Sequence, residues 1–426
     1  MYEWAALERR LRGIAGDRAL AVVLGGGAGG LSYARSLGRR RIPVLLIDSA
    51  GSIAARSRYV WPVTLRGPLR HPAEWIEVLD RVAGCLASPG VLLPTNDVLT
   101  GLVAQHADHL SPAFRFIVPN FAVVRSIVDK RTQYEQAQAA GIPIPVTHFP
   151  ESVLDADRVA ASLRYPCIVK PYESALGRAA MRSVSGPAEI GSKAVRVHDR
   201  DELVACFERF ATTDARFMVQ EFVPGDECAL FGYFAFWDAD GREHSWMTKQ
   251  KLRQFPVGMG SGSFQVSVNA PEVADLSRKL LRAFDYRGLV NVEFKLDSRD
   301  GSFRLIEINP RSASANQLAV SSGVDFPMLV YRYLTRPDVR ERPPNGFRAG
   351  VKWVNEDLDV QAFLALRKTG ELTLWRWLRS VSAARSWAVA TPRDPLPFLF
   401  QAFAHLRVPF RKARQDPAST VGHSTV

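Results

Sequence analysis

Near the end of its central region the sequence reads Asn291-Val-Glu293-Phe and then, after Asp297 to Gly301, Arg304-Leu-Ile-Glu307-Ile-Asn309-Pro-Arg311. In a strand alternate residues share a face, so Glu307 and Asn309 point the same way, and a hairpin across Asp297 to Gly301 brings Glu293 from the preceding strand. Two carboxylates and an amide converging on one spot form an all-oxygen donor set, suited to Mg2+ (or Mn2+) on nucleotide phosphates rather than to zinc. Arg311 would stand beside that ion, placed to neutralise charge on a transferring phosphoryl group. A plainer alternative makes Glu293 and Glu307 a solvated cross-strand face and Arg311 a surface ion pair. For one carboxylate alone that is the better reading, but Glu-x-Asn-Pro-Arg closing an apolar strand is hard to obtain by chance.

The elements around this cluster predict a parallel α/β unit followed by mixed structure. Leu20 to Leu24, a glycine turn from Gly25 to Gly30, an amphipathic stretch to about Arg41 and Val44 to Asp48 read as a βαβ unit opening a parallel sheet. Gly25, Gly27 and Gly30 satisfy G-x-G-x-x-G, and Asp48 lies where a ribose-binding acid sits in a dinucleotide fold. A flavin- or NAD-linked oxidoreductase is therefore one alternative; a tight turn with an anion-friendly helix N-terminus is the other. Further strands are expected at Gly90 to Pro94, near Phe116 to Val118, and at Tyr165 to Pro171. A helix is expected from Ile127 to Ala140, stopped by Gly141 and Pro143. Lys170 ends the apolar run Cys167-Ile-Val, a place where a lysine needs an anion to meet.

With these elements in order, the sequence resembles the ATP-grasp superfamily of ATP-dependent carboxylate-amine ligases, nearest to the D-aspartate ligase type and related uncharacterised carboligases. The likeness runs from about residue 20 to about 345. It implies an α/β and α+β multidomain fold: a Rossmann-like pre-ATP-grasp domain over 1–120, a lid subdomain over 121–225, an ATP-grasp core with the metal site over 226–345, and a helical C-terminal extension with a basic tail over 346–426. The resemblance makes Lys130, in Asp129-Lys-Arg-Thr-Gln, and Lys170 the nucleotide lysines. Met218 to Glu227 becomes the adenine hinge, with the Glu221 carbonyl and the Val223 N–H on the adenine edge and Glu227 on the ribose. Glu293, Glu307 and Asn309 become the metal ligands, Glu307 bridging two ions, and Arg311 the catalytic arginine. The implied activity is ADP-forming ligation of a carboxylic acid to an amine (or a thiol) through an acyl phosphate, with ATP and Mg2+ as cofactors. An amino acid, peptide or cell-envelope precursor is the implied acceptor. The glycine turn then faces the acid-substrate cleft without holding a dinucleotide. A non-catalytic ATP-binding scaffold is a third alternative, and the intact acidic set beside Arg311 argues against it.

Two stretches depart from the family pattern. The phosphate-covering loop between Lys170 and Lys193 is longer and less glycine-dense than a compact lid. Lys249 to Ser263 is a basic run followed by a Gly/Ser loop, either a holder for an acidic substrate or a solvated hairpin. Beyond residue 345, Leu374, Trp375, Trp377 and Leu378 are expected to form an interior helix face, the alternative being a surface that lies at a membrane interface. Phe398 to Phe410, with the following basic residues, is the preferred candidate for a peripheral membrane or partner contact.

Composition bounds these readings. The 426 residues are 47% hydrophobic and 23% charged, which excludes wholesale disorder, collagen-like sequence and a many-span membrane protein. Cys85, Cys167, Cys206 and Cys228 are scattered, which speaks against zinc and a disulfide framework, and the charged start lacks a signal peptide's apolar stretch. A cytosolic protein is expected, with membrane association and a homodimer left open. The formal charge is +12, and residues 331–426 carry 16 Lys+Arg against 8 Asp+Glu, so +8 of it lies in this last stretch, most of it beyond the shared core. The excess therefore points away from nucleic acid and toward a separate anionic partner for the C-terminal region.

Overall fold

The computed structural model describes residues 4–14, 18–172, 194–211, 213, 215–336 and 346–403. The expected lid stretch up to Lys193 and the tail from residue 404 lie outside the described residues. Three sheets carry the fold. The first is five parallel strands in the order Trp61–Leu65, Val44–Ser49, Ala21–Leu24, Gly90–Pro94, Phe114–Arg115. Its inner strands read as continuous apolar runs, and all four residues from Ala21 to Leu24 are buried, because helices cover both faces. The edge strand falls slightly before the expected Phe116 to Val118. Phe114 pairs with Gly90, while the chain beyond Arg115 leaves the sheet toward Pro119, which has no N–H to offer a ladder.

Helix Ala28–Gly38 follows the glycine turn, as the βαβ reading requires. A Cβ on Gly30 would lie 2.0 Å from the Gly25 carbonyl oxygen, so only glycine permits the helix to rise this close to the turn. The predicted single helix from Ile127 is two, Phe121–Val128 and Lys130–Ala139, broken at Asp129, whose carboxylate caps the second by accepting from the Thr132 N–H at 2.8 Å.

The second sheet has seven strands, ordered Phe303–Asn309, Gly288–Leu296, Leu230–Trp237, Glu243–Phe255, Ser261–Ser267, Lys352–Val354, Ser386–Trp387. Alternation along Leu230–Trp237 divides its two faces. Tyr233, Ala235 and Trp237 pack under helices Lys130–Ala139 and Pro271–Ala283 with Val292, Phe294 and Leu305. Phe234 and Phe236 turn the other way, joining Leu31, Tyr33 and Leu37 of helix Ala28–Gly38 and Trp353 and Val389 in one core. The parallel unit and the central sheet are therefore held by shared packing. The third sheet, ordered Thr147–His148, Phe217–Glu221, Cys167–Pro171, Val195–Val197, buries Cys167, Val169 and Val219 against helices Val153–Ala160 and Arg200–Phe210.

The region after residue 345 contributes helices Glu356–Lys368 and Leu374–Ser382 and also the last two strands of the central sheet. Two buried ion pairs tie it down. Asp359 receives Arg253 Nε at 2.9 Å and Nη2 at 2.8 Å, together with Ser263 Oγ and Trp377 Nε1. Asp394 receives Arg35 Nε at 3.0 Å, Ser57 Oγ and the Arg58 N–H. The expected interior face of the second helix is not found. Only Trp377 packs inward, stacked on Phe363 with ring centroids 4.6 Å apart, whereas Leu374, Trp375 and Leu378 are exposed. A helix lying on a surface has one inward edge, and Trp377 occupies it.

Because every oxygen of Asp359 is spoken for and its side chain is 1% exposed, Asp359→Ala strands the Arg253 guanidinium without a counter-charge. The expected loss is ~3–5 kcal/mol of stability, read as a lowered midpoint in urea unfolding. A loss under ~1 kcal/mol would mean the pair does not anchor the C-terminal region.

Candidate functional site

The third sheet faces the central sheet across a cavity of about 240 Å3. Alternation places the lining: in Cys167–Pro171 the buried Cys167 and Val169 face the helices, so Ile168 and Lys170 face the cavity. Lys170 Nζ donates to Gln220 Oε1 at 2.9 Å and to Tyr134 Oη at 3.3 Å. Burial lowers its pKa to about 8, with Glu307 opposing the fall.

On the central sheet the predicted hairpin exists, and its register pairs Glu293 with Glu307 and Asn291 with Asn309. A bulge makes this possible. The register slips after Glu293, so that Phe294 pairs with Leu305 and Ile306 is the extra residue. Leu305 and Ile308 stay in the core while Ile306, Glu307 and Asn309 face the cavity. Tyr134 Oη donates to the Ile306 carbonyl at 2.7 Å and so pins the bulged peptide directly beside Lys170.

Glu293 is enclosed. Lys251 Nζ lies 2.8 Å from its Oε2, and Asn291 Nδ2 donates to its Oε1 at 3.2 Å. Burial alone would push this carboxyl up, but the Lys251 and Lys249 ammonium groups together outweigh it and hold Glu293 well below the usual carboxylate range. Glu307 lies 3.2 Å from Lys130 Nζ. Arg311 Nε lies 2.9 Å from Asp97 Oδ1, and its Nη2 donates to Asn309 Oδ1 at 3.0 Å. Asn291 Oδ1 is buried with no hydrogen-bond donor to meet it.

Eight of the nine sequence-predicted residues line this one cavity: Lys130, Lys170, Glu221, Val223, Glu293, Glu307, Asn309 and Arg311. The ninth, Glu227, is placed differently. Its carboxylate accepts from the Gln254 N–H at 3.1 Å and the Gly258 N–H at 2.9 Å, fastening the loop that forms one cavity wall. The basic run divides. Lys249 and Lys251 enter the cavity, and Arg253 is turned away to Asp359. Lys249 is fully enclosed, with its ammonium 4.4 Å from the Phe234 ring centroid, and burial lowers its pKa to about 7. Gly232 provides its space, since a Cβ there would lie 2.6 Å from Lys249 Cε. Sequence reasoning did not single out Asp97, Gln220 or Lys295, which also line the cavity. Lys295 could have been found by alternation, as it lies two residues beyond Glu293.

The glycine turn closes on itself. Asp48 Oδ2 accepts from the Gly26 N–H at 2.8 Å, Ser52 Oγ donates to the Gly26 carbonyl at 2.9 Å, and a Cβ on Gly26 would lie 1.9 Å from Ser52 Oγ. The acid that would serve a dinucleotide ribose is thus engaged by its own turn.

A family described as "ATP-grasp in the biosynthetic pathway with Ter operon" matches residues 213–357. D-aspartate ligase from Enterococcus faecium is 24% identical over 262 residues, 59% of this chain and 59% of that ligase. Carboxyaminoimidazole ribonucleotide synthase from Aspergillus clavatus, solved with ATP, superposes with a TM-score of 0.58 at 17% identity, covering 79% of this chain and 81% of that one. The biotin carboxylase domain of Hydrogenobacter thermophilus 2-oxoglutarate carboxylase, solved with MgADP, gives 0.58 at 16% identity over 78% and 73%. The chain spans about three fifths of the length of the D-aspartate ligase it matches. The shared architecture is the ATP-grasp fold.

A polyphosphate entering this cavity favours charged lysines. Lys249, held at about 7 by burial, must then take up a proton at pH 8. Affinity for ATP or tripolyphosphate is expected to fall as pH rises from 7 to 9, with binding heats that vary with the buffer's ionisation enthalpy in titration calorimetry. Gly232→Ala, which crowds Lys249, is expected to weaken that binding about tenfold while leaving the melting curve near wild type. Affinity that rises with pH would contradict the assignment.

Proposed function

We propose that this ATP-grasp chain is an ATP- and Mg2+-dependent ligase that activates a carboxylic acid as an acyl phosphate and joins it to an amine. The observation that carries the proposal is the cross-strand pairing of Glu293 with Glu307 and of Asn291 with Asn309, beside Arg311 and opposite Lys130 and Lys170, in one cavity. Among the described residues no group of three or more His, Cys, Asp and Glu side chains is placed to hold a metal. Two carboxylates plus the Asn309 amide oxygen fit Mg2+, which keeps several waters and completes its shell with phosphate oxygens. Glu293, Glu307 and Asn309 would hold the ion, which supplies charge neutralisation on the phosphates when bound.

In the first step an oxygen of the substrate carboxylate attacks the γ-phosphorus, the bond to the β–γ bridging oxygen breaks, and ADP leaves. Lys130 and Lys170 hold the phosphates, while Glu221 and Val223 supply the backbone edge for adenine. Arg311, fixed by Asp97 and Asn309, faces the oxygens on which charge accumulates. In the second step the amine lone pair attacks the acyl carbon, the bond to the phosphate oxygen breaks, and phosphate leaves as the nitrogen loses its proton. The likeness to D-aspartate ligase favours an amino acid as the acid and an amino acid, peptide or envelope precursor as the acceptor.

ADP, not AMP, is expected only when acid and amine are both supplied from a panel of such compounds, with the product confirmed by mass spectrometry. Glu307→Gln is expected to lower turnover about 10²–10³-fold. AMP release, or undiminished turnover in that variant, would overturn the mechanism. ATP binding without ADP formation across the whole panel would favour the non-catalytic alternative.

A further inference from the structure

Helix Leu374–Ser382 reads Leu-Trp-Arg-Trp-Leu-Arg-Ser-Val-Ser and buries none of its residues. Leu374, Trp375 and Leu378 are 47%, 76% and 45% exposed. At 100° per residue, Trp377, Ser380 and Val381 form the edge that meets the protein, and Trp375 stands roughly opposite, with Leu378 on one flank and Arg379 and Arg376 on the other. The neighbouring helix Glu356–Lys368, joined to it through the Phe363–Trp377 stack, exposes Val360 and Leu364 and then Arg367 and Lys368. From residue 372 to residue 393 the chain carries Arg376, Arg379, Arg385 and Arg393 and no Asp or Glu.

A Trp left 76% exposed and flanked by Leu is costly to leave in water unless something covers it, and its surroundings restrict what that can be. A second copy of the chain docking by this face would bring Arg376 and Arg379 of both copies into the contact with no carboxylate from residues 372 to 393 to meet them. An anionic surface meets both halves of the pattern: the ring sits at the headgroup level, the leucines enter the acyl boundary and the guanidinium groups meet phosphates. We propose that helix Leu374–Ser382 docks this protein on an anionic lipid bilayer, lying flat with Trp375 inserted at the interface. The contact is peripheral, since among the described residues no helix is long and apolar enough to cross a membrane. It is independent of the ligase reading, because none of these residues lines the cavity.

The test is co-sedimentation of the full chain with vesicles of phosphatidylcholine and phosphatidylglycerol at 70:30, against vesicles of phosphatidylcholine alone. Binding is expected only to the anionic vesicles and is expected to weaken between 0.1 and 0.5 M NaCl. The Trp375→Ala/Leu378→Ala double variant should lower partitioning at least tenfold, as should Arg376→Gln/Arg379→Gln, each basic residue near such a surface contributing about fivefold. All four side chains are exposed, so the thermal melt should stay at wild type. Equal binding to neutral vesicles overturns the proposal. So does wild-type partitioning in both double variants, which would assign binding to residues outside this helix. A concentration-dependent dimer abolished by Trp375→Ala, with no vesicle binding, overturns it in favour of a second copy.

Discussion

A carboxylate enclosed in a sheet must be balanced by charge, and the ion pair between Glu293 and Lys251 is the contact on which the site depends. With Lys249 close by, the pair keeps Glu293 ionised in a place where burial alone would protonate it. Taking one lysine away would leave a buried anion, and taking Glu293 away would leave two crowded ammonium groups; either imbalance costs several kcal/mol, on the order of ~3–5. The arrangement keeps carboxylates and ammonium groups within one cavity without letting them neutralise into an inert cluster. Lys249 shows how near the limit it runs, since its charge is already half lost near pH 7.

The backbone makes this balance possible through two local departures from regular structure. The bulge at Ile306 turns Glu307 toward the cavity while Leu305 and Ile308 remain in the core. In an unbroken strand two residues on one face are separated by one on the other, so Leu305 and Ile308 could not both be inward. Gly232 is the second departure. It sits on the same face as Phe234 and Phe236, which pack against the N-terminal unit, and the missing side chain converts that packed face into a floor above which Lys249 extends. One sheet face thus serves as core at one end and binding site at the other.

The parts of the site visible in the sequence were those whose residue types conflict with their local pattern. Glu307, Asn309 and Arg311 end an apolar strand, and Lys170 ends another, so each announces a polar purpose. The parts that escaped depend on partners far away in the chain. Arg253 belongs to the same basic run as Lys249 and Lys251, and only the position of Asp359, 106 residues on, sends it away from the cavity. Glu227 matches a hinge pattern, yet its carboxylate is taken by Gln254 and Gly258 because the loop after residue 254 folds back over it. The glycine turn shows the converse. Its spacing satisfies a dinucleotide fingerprint, but Ser52, three residues beyond the end of strand Val44–Ser49, closes it. In the C-terminal helix the apolar content was legible and its direction was not, because nothing local distinguishes the side that Trp377 takes from the side left to Trp375.

Charge also separates the two basic regions by function. Among the described residues the cavity is lined by Lys130, Lys170, Lys249, Lys251, Lys295 and Arg311, six cations, against the four carboxylates of Asp97, Glu221, Glu293 and Glu307. The cations outnumber the carboxylates, so the cavity is poised for an anionic ligand rather than a cationic one. Arg376, Arg379, Arg385 and Arg393 have no carboxylate in the stretch from 372 to 393, and all four are exposed. A nearly self-balanced cavity can hold only a small ligand of matching charge, whereas an unbalanced surface draws an extended anion without regard to its shape, so the two basic regions differ in the kind of anion they suit.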